Sequence, residues 1–145
     1  MKISTKGRYA LRLMLDLATY NTGEPVSLND VAKRQDVSEK YLEQIISILN
    51  RGGLVKSSRG AKGGYSLRNK PEDITVGMIL RLTEGDLAPV DCVSETNPTE
   101  CERLGSCVTA RIYQKLSEAI NGVVDNITLA DMIDWQNENI GNYSI

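Results

Sequence analysis

The chain contains 145 residues, with 17 Lys and Arg, 19 Asp and Glu and no histidine, so its formal net charge at neutral pH is −2. A hydrophobic content of 41% is enough for one domain of ordinary size. The missing histidine excludes the commonest general base, the Ser-His and Cys-His nucleophile pairs and the His-containing zinc sites. No apolar run is long enough to span a membrane, and the N-terminus lacks the apolar core of a signal peptide. We therefore expect a soluble, cytoplasmic protein that is not an enzyme.

The charges are distributed unevenly along the chain. Residues 1–70 carry 13 Lys and Arg against 6 Asp and Glu, a net charge of +7, whereas residues 71–145 carry 4 against 13, a net charge of −9. The basic half favours a polyanionic partner such as nucleic acid, and the acidic half keeps the whole molecule soluble. The alternative interpretation is an uneven solvated surface that has no partner.

The first predicted helix begins after Ser4 or Thr5, either of which can cap it. Its apolar residues recur at helical spacing on one face, at Ala10, Leu13, Met14, Leu17 and Ala18. Leu11 and Leu15 widen that stripe, so we expect the helix to be packed on more than one side. Residues 21–25 then end the pattern.

Two shorter helices follow. Ser27 precedes the acidic Asp30 by three positions, which is a signature of a helix start. After a short turn, Ser38 caps a second helix over residues 39–50, whose inward face is Leu42, Ile45, Ile46 and Leu49. Two short helices that are joined by a tight turn and preceded by another helix predict a helix-turn-helix.

The segment after these helices predicts a β-hairpin. Gly52 and Gly53 end the helix, and residues 54–58 and 65–67 can pair as strands around the loop 59–64. The loop holds two cations and three glycines, which suits a close approach to a backbone rather than burial. A phosphate-binding nucleotide loop is the enzyme alternative, but no helix follows and no Gly-Lys-Ser/Thr sequence is present. We therefore interpret the hairpin as the wing of a winged helix.

A winged helix-turn-helix places the N-terminal end of its second helix in the major groove of DNA. In that position Gln44 can bind adenine through two hydrogen bonds, and Glu43 can accept a hydrogen bond from cytosine. The candidate DNA-binding residues are Lys6 and Arg8 of the first helix, Ser38, Lys40, Tyr41, Glu43, Gln44 and Arg51 of the helix-turn-helix, and Arg59 and Lys62 of the wing.

The basic candidates are predicted to contact the DNA in different ways. Lys40 and Arg51 neutralise phosphates, as do the basic residues at the start of the first helix. Arg59 and Lys62 fit a neighbouring minor groove, where a narrow A·T stretch attracts a guanidinium. The other candidates have structural alternatives, because Ser38 can be only a helix cap, Glu43 an exposed charge and Tyr41 a core ring.

The second half of the chain predicts a helix, a loop and two further helices. Thr75 caps a helix that Gly85 ends, and residues 86–106 show no periodicity. After this loop, apolar residues recur every four positions over about seventeen residues, at Val108, Ile112, Leu116, Ile120 and Val124. Thr128 then opens a short terminal helix that continues through Trp135.

The long helix is most simply explained by pairing with its copy in a second subunit, because it lies outside the winged-helix core. The alternative is a helix that folds back on its own domain. We therefore expect a mainly α fold, with a winged helix-turn-helix domain and its small β-hairpin wing over residues 1–84, a sensory loop over 85–106, a C-terminal dimerisation helix over 107–126, and a short terminal helix and tail over 127–145. A homodimer of this kind is expected to bind a pseudo-palindromic site in double-stranded DNA.

The loop region contains all three cysteines of the chain, at Cys92, Cys101 and Cys107. Lasting disulfides are disfavoured in a cytoplasmic protein, and an odd count leaves one thiol over. Three thiolates suit an iron–sulfur cluster that takes its fourth ligand from elsewhere, whereas zinc sites generally need closer cysteine pairs and four ligands. A metal-free thiol switch and incidental surface cysteines are the alternatives.

Three segments of the chain resemble the Rrf2 family of bacterial winged-helix transcription regulators. They are residues 1–10 (MKISTKGRYA), 37–44 (VSEKYLEQ) and 59–65 (RGAKGGY), and the match continues through residues 126–129. The resemblance covers nearly the whole chain. It implies a homodimer held by the long helix, with DNA-binding heads on either side and a sensory loop just before that helix.

Within the family, the cysteine loop resembles that of the iron–sulfur cluster regulators. The resemblance makes Cys92, Cys101 and Cys107 the implied metal ligands, although the first interval is longer here. Those regulators use a histidine three residues after the last cysteine, where this chain has Ala110. The fourth ligand therefore has to be a carboxylate, a hydroxyl, a group of the partner subunit or an exogenous ligand.

The N-terminal half also resembles the family's cysteine-metabolism repressors, which lack the loop cysteines and act with cysteine synthase. The last four residues, 142–145 (NYSI), resemble the isoleucine-terminated peptides that this enzyme accepts. An extended end at Tyr143, Ser144 and Ile145 is thus a candidate contact to cysteine synthase. The alternative is a frayed terminus.

Overall fold

The computed structural model describes residues 2–96 and 101–143, with side chains up to residue 140. Its elements are α1 (Thr5–Thr19), α2 (Leu28–Gln35), α3 (Glu39–Arg51), β1 (Val55–Ser58), β2 (Gly64–Leu67), α4 (Val76–Glu84), α5 (Val108–Val124) and α6 (Leu129–Tyr143), with 3-10 turns at Pro71–Asp73 and Asp91–Val93. The predicted mainly α class with a small hairpin is confirmed. Within the described residues, no helix combines the length and the apolar character needed to cross a membrane.

The predicted helix caps are all present. A side-chain hydroxyl accepts a hydrogen bond from the backbone N–H three residues further on at Ser4, Ser27, Ser38, Thr75 and Thr128. At the start of α6 the bond is reciprocal, because the carboxylate of Asp131 accepts the backbone N–H of Thr128 at 2.9 Å. Each cap typically stabilises a helix by about 1 kcal/mol, and here the caps fix where the helices begin.

Helix α1 lies at the centre of the core and packs against α2, α3, α4, α6 and β2. Its wide apolar stripe needs several neighbours, as predicted. The core cluster of the described residues is formed by Ala10, Leu13, Met14, Leu17, Ala18, Leu28, Val31, Leu42, Ile45, Ile46, Leu49, Leu54, Val55, Leu67, Ile74, Ile79 and Leu129.

The wing is an antiparallel hairpin whose register pairs Val55 with Leu67 at its base and Ser58 with Gly64 near its tip. Val26 adds a bridge to this hairpin, since its backbone exchanges two 2.8 Å hydrogen bonds with Tyr65. The approach is so close that a Cβ on Gly64 would overlap the backbone of Val26. The start of β2, at the tip end of the hairpin, is therefore anchored to the segment between α1 and α2.

A buried ion pair joins α1 to α2. Asp16 is 3% exposed, and its carboxylate accepts hydrogen bonds from Arg34 Nε at 3.0 Å and Nη2 at 2.7 Å. The side-chain amide of Gln35 donates a third bond at 3.0 Å, and the Arg34 guanidinium lies 3.9 Å above the ring of Tyr20. A buried carboxylate needs such partners, and these hold the end of α2 against α1.

The terminal helix differs from the prediction. We predict a short helix through Trp135, but α6 continues to Tyr143. The extension is held on α1, where the Gln136 side chain donates a 3.1 Å hydrogen bond to the hydroxyl of Thr19. The expected extended tail is wrong at Tyr143, whose backbone is helical, and the predicted contacts of residues 144–145 lie outside the described residues.

Candidate nucleic-acid interface and cysteine loop

Helix α3 has one buried and one exposed face. Its buried side chains are all aliphatic, namely Leu42, Ile45, Ile46 and Leu49. On the other face, the side chains of Lys40, Glu43 and Gln44 are exposed, and they form no hydrogen bond or ion pair with any described residue. The predicted reading positions of the helix are thus open at the surface.

The two remaining candidates at the start of α3 have structural contacts. The hydroxyl of Ser38 accepts the backbone N–H of Tyr41 at 3.1 Å, so it caps the helix. The half-buried ring of Tyr41 packs edge-on against Tyr9, with 5.8 Å between the ring centroids. Arg12 lies 4.8 Å above the same Tyr9 ring. Ser38 and Tyr41 therefore fix the orientation of α3 against α1, in line with the structural alternatives.

The basic candidates lie on elements that contact one another, because α3 packs against both α1 and β1. Arg59 and Lys62 are exposed in the loop between the wing strands, and Arg51 is exposed in the last turn of α3. At the start of α1, Lys6 is half-buried and the exposed Arg8 donates a 3.2 Å hydrogen bond to the hydroxyl of Thr5.

The sequence alone did not reveal the contact that fixes the start of α1. The backbone N–H and the hydroxyl of Ser4 both donate to the carboxylate of Glu84 at 2.7 Å, so the last residue of α4 holds the first turn of α1. A Cβ on Gly7 would overlap the same carboxylate. The small Gly7 could have signalled a close approach, but its partner is 77 positions away in sequence.

The three cysteines have free thiols. Cys92 is half-buried in the second 3-10 turn, Cys101 is exposed, and Cys107 is half-buried at the N-cap of α5. The hydroxyl of Thr109, 3.1 Å from the sulfur, holds the pKa of the Cys107 thiol below its ordinary value, and backbone N–H groups of the first turn of α5 contribute in the same direction. Among residues 2–96 and 101–143, no three Cys, Asp or Glu side chains gather closely enough to hold a metal ion.

Asp86 organises the segment 86–96, which contains Cys92. Its carboxylate accepts hydrogen bonds from the hydroxyls of Ser94 and Thr96 and from the backbone N–H of Ala88 at 2.7 Å. These bonds, with that from Ser94 the strongest, lower the pKa of Asp86 to about 2. The loop therefore has a defined fold on the head side of the cysteines.

An ion pair connects α4 of the head to α5. The guanidinium of Arg81 donates to both carboxylate oxygens of Asp125, at 2.5 and 3.0 Å, and to the side-chain oxygen of Asn121 at 2.9 Å. These bonds lower the pKa of Asp125. The two helices approach closely because Gly77 has no side chain, and a Cβ there would overlap the Asp125 carboxylate.

The N-terminal part of the apolar stripe of α5 is exposed. Val108 is 74%, Ile112 54% and Leu116 47% exposed, as is the flanking Val123 at 57%, whereas Ile120 and Val124 are half-buried. Ala110 and Ser117 on the opposite face are buried against the chain's own loop and head. The described residues of the chain therefore leave Val108, Ile112 and Leu116 uncovered. An exposed apolar stripe of this length is typical of a subunit interface.

Residues 3–135 match the model of the Rrf2 family, described as iron-dependent transcriptional regulator. The protein Rrf2 of Nitratidesulfovibrio vulgaris is 41% identical over 133 residues, which are 92% of this chain and 87% of that protein. Its identity is far above what chance similarity over this length would give, and its coverage shows that the whole architecture is shared.

Two solved structures are similar in both sequence and fold. CymR, the global cysteine regulator of B. subtilis, is 40% identical with a TM-score of 0.79, over 93% of this chain and 98% of that one. IscR of T. potens is 42% identical with a TM-score of 0.77, over 96% of this chain and 90% of that one. These relatives are transcriptional regulators, which confirms the prediction that the chain is not an enzyme. The chain belongs to the Rrf2 family of DNA-binding transcriptional regulators.

Proposed function

We propose that this regulator reads DNA as a homodimer, with the exposed face of α3 in the major groove and the wing tip beside it. The observation that carries the proposal is the two-sided composition of α3. Its buried face is aliphatic, while Lys40, Glu43 and Gln44 stand exposed without partners among the described residues. Side chains of these types can form hydrogen bonds with base edges and phosphates without first breaking an internal contact.

The proposed contacts are of two kinds, base contacts that recognise the DNA sequence and phosphate contacts that position the protein on the duplex. Gln44 pairs with adenine and Glu43 with cytosine, and each good base contact discriminates by about 1–3 kcal/mol. Lys40 and Arg51 bind phosphates, with Lys6 and Arg8 at the start of α1 and the Ser38 hydroxyl as further backbone contacts.

The wing supplies Arg59 and Lys62, which are proposed to enter the adjacent minor groove. Tyr41 acts by holding α3 on Tyr9. Pairing of two α5 stripes places two such heads on one pseudo-palindromic site in double-stranded DNA.

The DNA-binding proposal is tested on a duplex that the wild-type protein selects from a random pool. Arg59→Ala is expected to weaken binding by about 1–3 kcal/mol, and Gln44→Ala to relax sequence preference at one position by a similar amount. Lys40→Ala should weaken all duplexes alike and reduce the salt dependence of binding by about one phosphate contact.

Fluorescence anisotropy over a series of salt concentrations measures these effects. The matched control is Arg111→Ala, which removes one exposed guanidinium from α5, outside the head. Equal losses for Arg59→Ala and Arg111→Ala would mean that only total charge matters, and the proposed wing contact would be abandoned.

We further propose that Cys92, Cys101 and Cys107 bind an iron–sulfur cluster that couples iron, sulfur or redox status to promoter binding. Three thiols between the head and α5 supply suitable donors, and an IscR is among the similar structures. The described residues do not gather these thiols, so the loop has to rearrange to bind a cluster. The chain's own residues order the first part of this loop through Asp86, and Cys107 joins the loop to α5.

Anaerobic purification, followed by an absorption spectrum and by iron and sulfide analysis of the same sample, tests the cluster. We expect stoichiometric iron and sulfide, lost in each single Cys→Ala variant but retained in Leu104→Ala, which changes an exposed residue of the same loop that has no ligating atom. A colourless, iron-free protein that is unchanged by cluster reconstitution contradicts the proposal.

A second candidate is a cluster-free regulator of cysteine metabolism. The lowered pKa of the Cys107 thiol favours it, because a thiolate is the form that oxidants attack, and a CymR is also among the similar structures. In this case peroxide should weaken DNA binding, a reducing thiol should restore it, and Cys107→Ser should be insensitive. If the tail binds cysteine synthase, deletion of residues 142–145 should abolish that complex and leave DNA binding intact.

A further inference from the structure

A cavity of about 350 Å³ lies between the C-terminal end of α4, the segment 85–96 and α5. Arg81, Leu87, Glu95, Thr96, Ser117 and Asn121 line it. A second cavity of about 130 Å³ shares Glu95, Ser117 and Asn121 and extends towards Gln114. Gln114, Ser117 and Asn121 recur at helical spacing on the face of α5 opposite the exposed apolar stripe, so this polar face is distinct from the proposed dimer contact.

Ser117 is the most informative residue of the cavity. It is 9% exposed, and its hydroxyl forms no hydrogen bond with any residue that the structure describes, including the carbonyl one turn earlier in α5. The oxygen itself keeps contact with solvent, because no fully buried side-chain N or O atom of the described residues lacks a hydrogen-bond partner. A hydroxyl that faces a cavity and lacks an internal partner is therefore available to a bound molecule.

The charges around the cavity favour a cation. Asp86 and Glu95 contribute two carboxylates, and the single guanidinium, that of Arg81, is already paired with Asp125. Asp86 is occupied by the loop hydrogen bonds, whereas Glu95 forms no hydrogen bond or ion pair with the described residues. An incoming positive group would therefore find one carboxylate that holds no hydrogen bond, although it already attracts the Arg81 guanidinium, in a net negative environment.

We propose that this cavity binds a small organic molecule that carries a primary ammonium group. The three N–H bonds of the ammonium match three acceptors, the carboxylate of Glu95 and the hydroxyls of Thr96 and Ser117. Leu87, which is 6% exposed, supplies an apolar contact for the carbon skeleton. The volume is at the lower end of the range of ligand pockets, so a small metabolite fits better than a nucleotide or a peptide.

Such a ligand would act on regulation because of where the cavity lies. Arg81 belongs to α4 of the head and Asn121 to α5, and the ligand would sit beside the hydrogen bond that joins them. If the ligand binds one arrangement of α4 and α5 more tightly than another, it would increase the population of that arrangement and so change the affinity for DNA. The site itself does not depend on DNA binding, so it can be tested without DNA.

The test is a titration of the full-length protein, labelled with ¹⁵N, with small primary amines such as ethanolamine, putrescine and agmatine. The matched uncharged compounds are ethylene glycol and butanediol. We expect at least one amine to give saturable shifts of the backbone amides of Glu95, Ser117 and Asn121, and its uncharged analogue to give none. Glu95→Gln should weaken binding by about tenfold or more, and Ser117→Ala by about fivefold.

Glu24→Gln, which removes an exposed carboxylate far from the cavity in sequence, is the control and should bind like the wild type. Because Glu95 is exposed, its variant is expected to fold, and spectra of the two Glu→Gln variants verify this. The proposal is overturned if no amine saturates, if Glu95→Gln binds as tightly as the wild type, or if the shifts lie elsewhere. The titration uses no DNA, so its outcome is independent of the outcome of the DNA-binding experiments proposed above.

Discussion

Single buried polar residues hold together elements that the hydrophobic pattern alone would leave loosely oriented. Asp16 is the clearest case, because it lies on the buried side of α1 and satisfies its carboxylate with Arg34 and Gln35. The Arg34 side chain is 29% exposed, so the pair is only partly desolvated. Its main contribution is to fix α2 against α1, and hence to orient the helix-turn-helix.

Removal of this carboxylate should be costly. Asp16→Ala leaves a guanidinium and an amide without their acceptor, and we expect the free energy of unfolding to fall by about 2–3 kcal/mol, less than for a fully buried pair. Urea unfolding at neutral pH measures it. Asp134→Ala, at an exposed position of α6, is the control and should change stability by under about 0.5 kcal/mol. Similar losses in the two variants would contradict this role of Asp16.

A second prediction at the scale of single residues concerns the pH dependence of the stability that Asp86 contributes. Its pKa of about 2 lies below the ordinary 3.8, so the ionised carboxylate stabilises the folded loop. That contribution is fully present above the ordinary pKa and is lost as the pH falls through about 2. We expect the carboxyl ¹³C resonance of Asp86 to titrate near pH 2, and Ser94→Ala to move its midpoint upwards. A midpoint that Ser94→Ala leaves unchanged would exclude the Ser94 hydroxyl as the main cause.

At the scale of elements, the junction of α4 with α5 depends on small residues. Gly77 admits the side chains of Arg81 and Asp125 between the helices, and Ala110 and Ser117 are the buried residues of α5 on the loop and head side. The Arg81–Asp125 pair is 39% and 44% exposed, so it contributes little to global stability. It sets the position of α5 rather than the stability of the head.

The Gly77→Ala variant tests whether the Arg81–Asp125 pair positions α5 without adding to global stability. The added methyl group displaces the Arg81–Asp125 pair, while alanine favours the helix by up to about 1 kcal/mol, so we expect little net change in stability. Hydrogen exchange of the backbone amides of residues 121–126 should nevertheless become faster. Gly122→Ala is the matched control, since nothing lies within 4 Å of its new Cβ, and it should stabilise α5 without faster exchange.

Sequence patterns predicted the elements well because their signals are local. The caps at Ser4 and Ser38, the aliphatic face of α3 and the glycine-rich wing all follow from residues within one or two turns. The candidate reading residues could be proposed for the same reason. The contacts of Glu84 with Ser4 and of Arg81 with Asp125 could not be predicted, because they join residues 80 and 44 positions apart. The length of α6 was underestimated because its extension depends on packing against α1.

At the scale of the whole molecule, the chain separates a basic N-terminal half from an acidic C-terminal half. Val108, Ile112 and Leu116 of the α5 stripe and the flanking Val123 are 47–74% exposed. Pairing of two such stripes would bury them and set the spacing of two heads. If the stripes pair in this way, affinity for a two-part DNA site would depend on a surface outside the proposed DNA contacts.

Ile112→Glu should separate the dimer. A charge at the middle of the stripe cannot be buried without a partner, so we expect a folded monomer in sedimentation equilibrium and a large loss of affinity for the full site. Affinity for an isolated half-site should change little. Glu118→Gln, on the polar side of α5, should remain dimeric. A dimeric Ile112→Glu protein would exclude this stripe as the interface.

The burial of Leu129 has a consequence for how the protein is made. This side chain is fully buried in the core formed around α1, although it follows α5 in the chain. On the ribosome, the head emerges first but lacks one wall of its core until the first turn of α6 has also emerged. The core that supports α1 and α3 is thus completed only after α5 has been synthesised. A nascent or truncated chain that ends before Leu129 has an unfilled core. Proteases and chaperones can therefore recognise such a chain before it competes for DNA sites.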